Sequence, residues 1–240
     1  MRKILMVLIS SCLAAAPAYA EGGWVVDQET QCQVWDSDSK PNQTITWSGK
    51  CENGKAAGEG VASWHEGNKL ITSIKGVMRE GRCQSENCLV RIVAGDKEVK
   101  YVGQLKDNDL HGKGTLTWLD GNEYSGEWFL GKRHGKGKFV WKNGTEYSGD
   151  WKDDKSTGKG TFIWVDRDEK KYIGDVKDGK FHGSGVMFYV SGDKYSGSWA
   201  NGKRHGKGRY TFKDGTVYKG IWENGKRIKR FFRLRDYLFF

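Results

Sequence analysis

After its first twenty residues the sequence holds no apolar run approaching the roughly 20 residues that a bilayer-spanning helix needs, which excludes a helical membrane span from the mature chain. It has no CxxC pair with a companion pair, which excludes the commonest structural zinc spacing. No Cys/His pair, Ser/His/Asp set or lone phosphate-cradling glycine loop stands out, so neither catalysis nor a cofactor is expected. Proline is scarce at 2 residues, and the hydrophobic share of 37% is too small for a thick layered core. What is abundant instead is glycine, with 34 residues, and tryptophan, with 11. That composition predicts a thin, aromatic-studded β structure.

The first 20 residues, MRKILMVLISSCLAAAPAYA, combine two basic residues, an apolar run and Ala18-Tyr19-Ala20, the pattern of a cleaved secretory signal. The mature chain is expected to begin at Glu21 and to be exported, with the periplasm as the first expectation and secretion as the second. A lipoprotein signal at Ile9-Ser10-Ser11-Cys12 is the rival, anchoring the chain through Cys12, but the apolar run before it is short. Export leaves four cysteines, Cys32, Cys51, Cys83 and Cys88, an even set in an oxidising compartment. The short Cys83–Cys88 spacing favours a local clasp, which leaves Cys32 for Cys51. Of the formal charge of +10, removal of Arg2 and Lys3 leaves +8, a moderate basic excess that suits acidic partners and also simple solubility.

Aligning the chain on tyrosine gives units starting at Tyr101, Tyr124, Tyr147, Tyr172, Tyr195 and Tyr218, spaced by 23, 23, 25, 23 and 23 residues. Upstream, Trp47-Ser-Gly-Lys-Cys51 and Ile74-Lys-Gly-Val-Met78 begin two worn copies, so about eight units fill the chain. Within a unit the period is 2: Tyr124, Gly126 and Trp128 share one strand face, and Gly137, Phe139 and Trp141 share one face of the next strand. Each unit is therefore a β-hairpin. Asp120-Gly121, Asn143-Gly144, Ser191-Gly192 and Asp214-Gly215 predict tight type I′ turns between units. Asn108, Gly131, Asp154, Gly179, Gly202 and Gly225, seven places after each tyrosine, predict a bend in a longer connection within each unit. Glycines on the aromatic face leave room for a ring to lie flat, and the columns Trp128, Trp151, Trp199 and Trp222 supply rings beside the tyrosines.

Tyr-x-Gly-x-Trp, a Gly-Lys, then His-Gly-x-Gly at a 23-residue period resembles the MORN (membrane occupation and recognition nexus) repeat, over about Trp47 to Lys226. The resemblance implies an all-β, single-layer antiparallel meander of stacked hairpins, an accessory scaffold linked to anionic phospholipids and to self-association. Leu105 and Val176 stand where the family has Trp, and Thr157 where it has His, so those units are expected to pack less tightly. The expected organisation is a signal over 1–20, degenerate repeats with disulfides over 21–100, the array over 101–227, and a basic amphipathic cap over 228–240.

His111, His134, His182 and His205 form a column, but recurrence at every second strand puts them about 10 Å apart, too far for one ion. No metal is expected. The surface feature singled out is a basic row, Lys132, Arg133, Lys136, Lys203, Arg204 and Lys207, expected to line one edge and to meet an anionic partner. The expected function is a non-enzymatic scaffold for an envelope or secreted protein or for a homodimer. Direct binding of anionic envelope lipid or lipopolysaccharide is the alternative, and an effector or immunity-type binding protein the second; nucleic acid is not an expected partner.

Overall fold

The structure, a computed structural model, describes residues 22–37, 40, 42–94 and 97–228. The signal at 1–20, Cys12 and the cap from residue 229 onward lie outside the described residues. Among those described there is no helix; strands follow one another as hairpin-linked, mostly antiparallel pairs. The chain forms two compact units, one running through Lys142 and taking in Lys152–Asp154, the other holding Asn143–Trp151 and continuing from Lys155.

Five strands open the chain: β1 (Gly23–Val26), β2 (Gln33–Asp36), β3 (Gln43–Trp47), β4 (Lys50–Glu52) and β5 (Lys55–Glu66). Thereafter each repeat supplies one hairpin, such as Glu123–Phe129 with Lys132–Val140 or Lys194–Ala200 with Lys203–Thr211. The eight expected units are present as eight two-residue turns, from Asn53-Gly54 to Asn224-Gly225, in which both residues have positive φ. That is the backbone of a type I′ turn, whose twist matches the flanking strands.

The two connections are the reverse of those expected from the sequence. The tight I′ turn lies inside each unit, at Leu130-Gly131 or Asn201-Gly202, and the longer loop lies between units, as in residues 118–122. At Asp120-Gly121, Asn143-Gly144, Ser191-Gly192 and Asp214-Gly215 only the glycine has positive φ. The preceding side chain instead accepts a hydrogen bond from the N–H two residues on, at 3.0 Å for Asp120 with Asn122 and 2.8 Å for Asp214 with Thr216. An Asp-Gly pair serves either geometry, because Asp tolerates left-handed backbone and also forms Asx turns.

Both expected disulfides are formed, Cys32–Cys51 and Cys83–Cys88. They suit an oxidising compartment. The longer loop, with a separation of 19 residues against 5, restricts the unfolded chain more. Loop entropy predicts that Cys32→Ser/Cys51→Ser lowers the stability of its unit by about 3 kcal/mol and Cys83→Ser/Cys88→Ser by about 2 kcal/mol. Urea unfolding of the two double variants checks the order.

Candidate functional site: the aromatic face, the polar face and the turn row

The packing unit is a tyrosine laid across two glycines. Tyr124 faces Phe139 across the hairpin, Gly126 faces Gly137, and Trp128 faces Arg133. An added Cβ on Gly137 would come within 2.2 Å of the Tyr124 hydroxyl, and one on Gly126 within 2.5 Å of Gly137 Cα. The ring thus occupies the space that two side chains would fill. Its hydroxyl donates to the carbonyl three residues on, Tyr124 to Glu127 at 2.9 Å, and Tyr101, Tyr147, Tyr172 and Tyr195 do the same. These five rings are 0–1% exposed, and burial pushes their phenol pKa values up, for Tyr195 to about 12.

The tryptophan four places after each tyrosine, where present, then stands edge-on to tyrosine rings. Trp128 meets Tyr124 at 5.0 Å and 87°, and Tyr101 of the preceding repeat at 5.9 Å and 90°. Trp199 and Trp222 bracket Tyr195 in the same way, and Trp151 meets Tyr147 at 5.3 Å; Tyr218 closes the series on Trp222. Edge-to-face pairs of this kind add about 0.5–1.5 kcal/mol each beyond the area they bury.

The worn copies obey the same rule with other atoms. Trp47 replaces tyrosine, lies against Gly49 and Gly60, and donates its indole N–H to the Lys50 carbonyl at 2.8 Å, again three residues on. At Gly76 the space is filled by Cys83 Sγ, so the disulfide stands where a ring would. Nor is the repeat with Val176 loose, as its missing tryptophan suggested. Val176 is 3% exposed, and Phe181 stacks on Tyr172 with centroids 4.0 Å apart while meeting Trp199 edge-on.

The opposite face is polar, and its hairpins carry a bulge. Glu127 pairs with His134, yet Gly126 pairs with Gly137, so Gly135 and Lys136 are extra; Gly135 has φ 55°. The residue three places after tyrosine closes that bulge by accepting an N–H: Gln104 from Lys113, Glu127 from Lys136, Asp150 from Lys159, Asp175 from Ser184. An amide and three acids at one spacing, Gln104, Glu127, Asp150 and Asp175, are the visible sequence signal of this column, which the expected site residues do not include. The Lys159 ammonium and the Ser184 N–H hold the Asp175 carboxyl below the usual range. Shallow troughs of Gly, Ser and Thr run along this face, one beside Lys113 and Lys136, another beside Lys159 and Ser184.

Against this frame the six residues of the expected basic row do not share one surface. Lys132 and Lys203 are exposed beside the I′ turns, and Lys136 and Lys207 are exposed on the polar face. Arg133 and Arg204 turn to the aromatic face. Arg133 lies over Phe139 at 5.3 Å, donates through Nε to Asp154 Oδ1 at 3.0 Å, and reaches the Asp154 carbonyl. Arg204 lies over Tyr195 at 5.6 Å and donates to the Gly225 carbonyl at 3.1 Å. Parity was the signal for this: Arg133 has the register of Gly137 and Phe139, not of Lys136. His111 and His134, also of the polar register, set their rings against Phe129 at 5.3 and 5.8 Å.

The turns themselves are joined. The second turn residue donates its N–H to the preceding repeat, Gly131 to Leu110, Asp154 to Arg133, Gly179 to Ser156, Gly202 to Phe181 and Gly225 to Arg204, at 2.9–3.1 Å. Where that residue is not glycine, its side chain adds a bond: Asn108 Oδ1 accepts from Cys83 N–H and Asp154 Oδ1 from Arg133 N–H, both at 3.0 Å. The turns thus form a second ladder at the hairpin tips.

No curated protein matches the chain. The MORN repeat profile matches residues 101–123, 124–146, 147–169, 172–194, 195–217 and 218–227, six repeats in all. MORN repeats are non-catalytic and generally mediate protein or membrane interaction. With that match spanning more than half its length and the hairpin geometry repeated unit by unit, the chain belongs to the MORN repeat family.

Proposed function

We propose that this protein is a non-enzymatic, exported scaffold of the cell envelope, in which the repeats hold an extended surface for a protein partner or a second copy. The observation that supports it most directly is how the repeating residues are used. Tyrosine, tryptophan, paired glycine, the turn arginines and the bulge acids are each engaged within or between hairpins, so what varies and stays exposed among the described residues of each unit is a polar surface with shallow troughs. Such a surface suits a macromolecule better than a small substrate.

A second reading rests on the exposed lysines beside and between the turns, Lys132, Lys136, Lys203 and Lys207, which could meet phosphate-bearing envelope lipid. Cosedimentation with anionic and with neutral vesicles, at low and high salt, separates the two. The scaffold reading expects the protein to stay in solution with both vesicles at physiological salt. Pelleting with anionic vesicles alone, lost at high salt and in a variant with these four lysines changed to glutamate, would replace it with the lipid reading. Arg133→Glu and Arg204→Glu are unsuitable probes, since they would unpair Asp154 and the Gly225 carbonyl.

A further inference from the structure

The N-terminal hairpin shows how the turn row can hold a strand. β1 and β2 pair in register from Gly23 with Asp36 to Val26 with Gln33, and β2 lies across three successive I′ turns. Gln33 N–H donates to the Gly54 carbonyl and Trp35 N–H to the Gly81 carbonyl, both at 2.9 Å, while Asn108 Nδ2 donates to the Trp35 carbonyl at 2.6 Å. Alternate residues of one strand thus read successive hairpin tips. The residue after each of the first two turns completes the seat: Lys55 Nζ lies 4.8 Å over the Trp24 ring, and Arg82 packs 4.9 Å from Trp24 and 4.6 Å from Trp35; Asp109 follows the third. The strand that is held suits the cations that hold it, because residues 22–37 contain Asp27, Glu29 and Asp36 and no lysine or arginine.

The second compact unit carries a similar row, with glycine where Asn108 supplies its amide. Gly179, Gly202 and Gly225 are the second residues of successive I′ turns, and each is followed by a lysine, Lys180, Lys203 and Lys226. Gly179 and Gly202 are exposed, as are the three lysines; beneath β2, Gly81 and Asn108 are buried, while Gly54 at the start of the row is exposed. Among the described residues no strand lies across these turns.

We propose that the turn row Gly179–Lys180, Gly202–Lys203 and Lys226 docks an extended, acidic, tryptophan-bearing segment of a partner protein, through backbone N–H groups onto the turn carbonyls and aromatic rings onto the lysines. The proposal rests on the scaffold reading and names the partner's chemistry. A foreign segment is favoured over a second copy's hairpin because that hairpin is tethered in its own chain by Cys32–Cys51 and already seated.

The probe is a synthetic peptide of residues 22–37 with Cys32→Ser, titrated calorimetrically into the full protein. Saturable binding is expected, about tenfold weaker in Lys180→Glu/Lys203→Glu and lost when Gln33 and Trp35 of the peptide are N-methylated. No binding to the wild-type protein, equal binding to the lysine variant, or equal binding of the methylated peptide would each overturn the docking row. Sedimentation of the protein alone supplies the other arm: a dimer that the peptide dissolves and the lysine variant does not form would put a second copy on the row and overturn the foreign segment. Because the vesicle experiment uses no peptide, failure here leaves the scaffold reading standing or falling on its own result.

Discussion

Gly185→Ala is expected to destabilise the second compact unit by about 3 kcal/mol, at the upper end of what overpacking a tight site costs. Gly185 is not in the left-handed region, so the penalty is steric. Its added Cβ would sit 2.3 Å from the Tyr172 hydroxyl and 2.5 Å from the ring. The ring has nowhere to go: it is fully buried, bonded to the Asp175 carbonyl at 2.8 Å and stacked on Phe181. Gly215→Ala is the contrast. There φ is 87° and no atom lies within 4 Å of the new Cβ, so only backbone strain of about 1 kcal/mol is expected. Urea unfolding measures both. A double-mutant cycle with Tyr172→Ala sharpens the result, since removing the ring should relieve most of the Gly185→Ala penalty; additive losses would show that ring and glycine are not competing for one space.

That competition explains why so much of the fold was legible in the sequence. Tyrosine and glycine recur because each fixes the other, so the hairpin repeat, the aromatic face and even the worn copies could be read from spacing alone. The same logic carried through Trp47, which keeps both the glycine contacts and the bond three residues on. What could not be read was any feature for which one residue type serves two geometries. Asp-Gly and Asn-Gly occur in both connections, and only the strand ends tell the I′ turn at Asn201-Gly202 from the Asx turn at Asp214-Gly215. Arginine was misplaced for a related reason. Beside lysine it reads as surface charge, but its planar head bonds turn carbonyls while lying on a ring, as Arg133 and Arg204 do, which lysine cannot match. A Phe at the same position, Phe181, fills the gap left by Val176, a compensation one repeat's spacing cannot reveal.

The protein is also expected to unfold cooperatively in alkali, above pH 10, at a pH where most β proteins of ordinary tyrosine exposure still stand. The unfolded chain ionises tyrosine near pH 10, whereas burial raises the folded pKa of Tyr147 and Tyr172 further and that of Tyr195 to about 12. A group whose folded pKa is raised contributes stability that is fully present below the unfolded value and is lost as pH climbs toward the folded one. These three tyrosines alone make the stability of the second compact unit fall by about 4 kcal/mol per pH unit in that window, against a total on the order of 5–15 kcal/mol for a domain. Phenolate absorbance should therefore rise in step with loss of the near-ultraviolet tryptophan signal, because these hydroxyls reach solvent only when their repeats open. If the buried tyrosines ionised while the tryptophan signal held, the ring would be able to leave its glycine seat with the hairpins intact, and the stacking of Tyr172 and Tyr195 against Trp199 could not be what holds the repeats together.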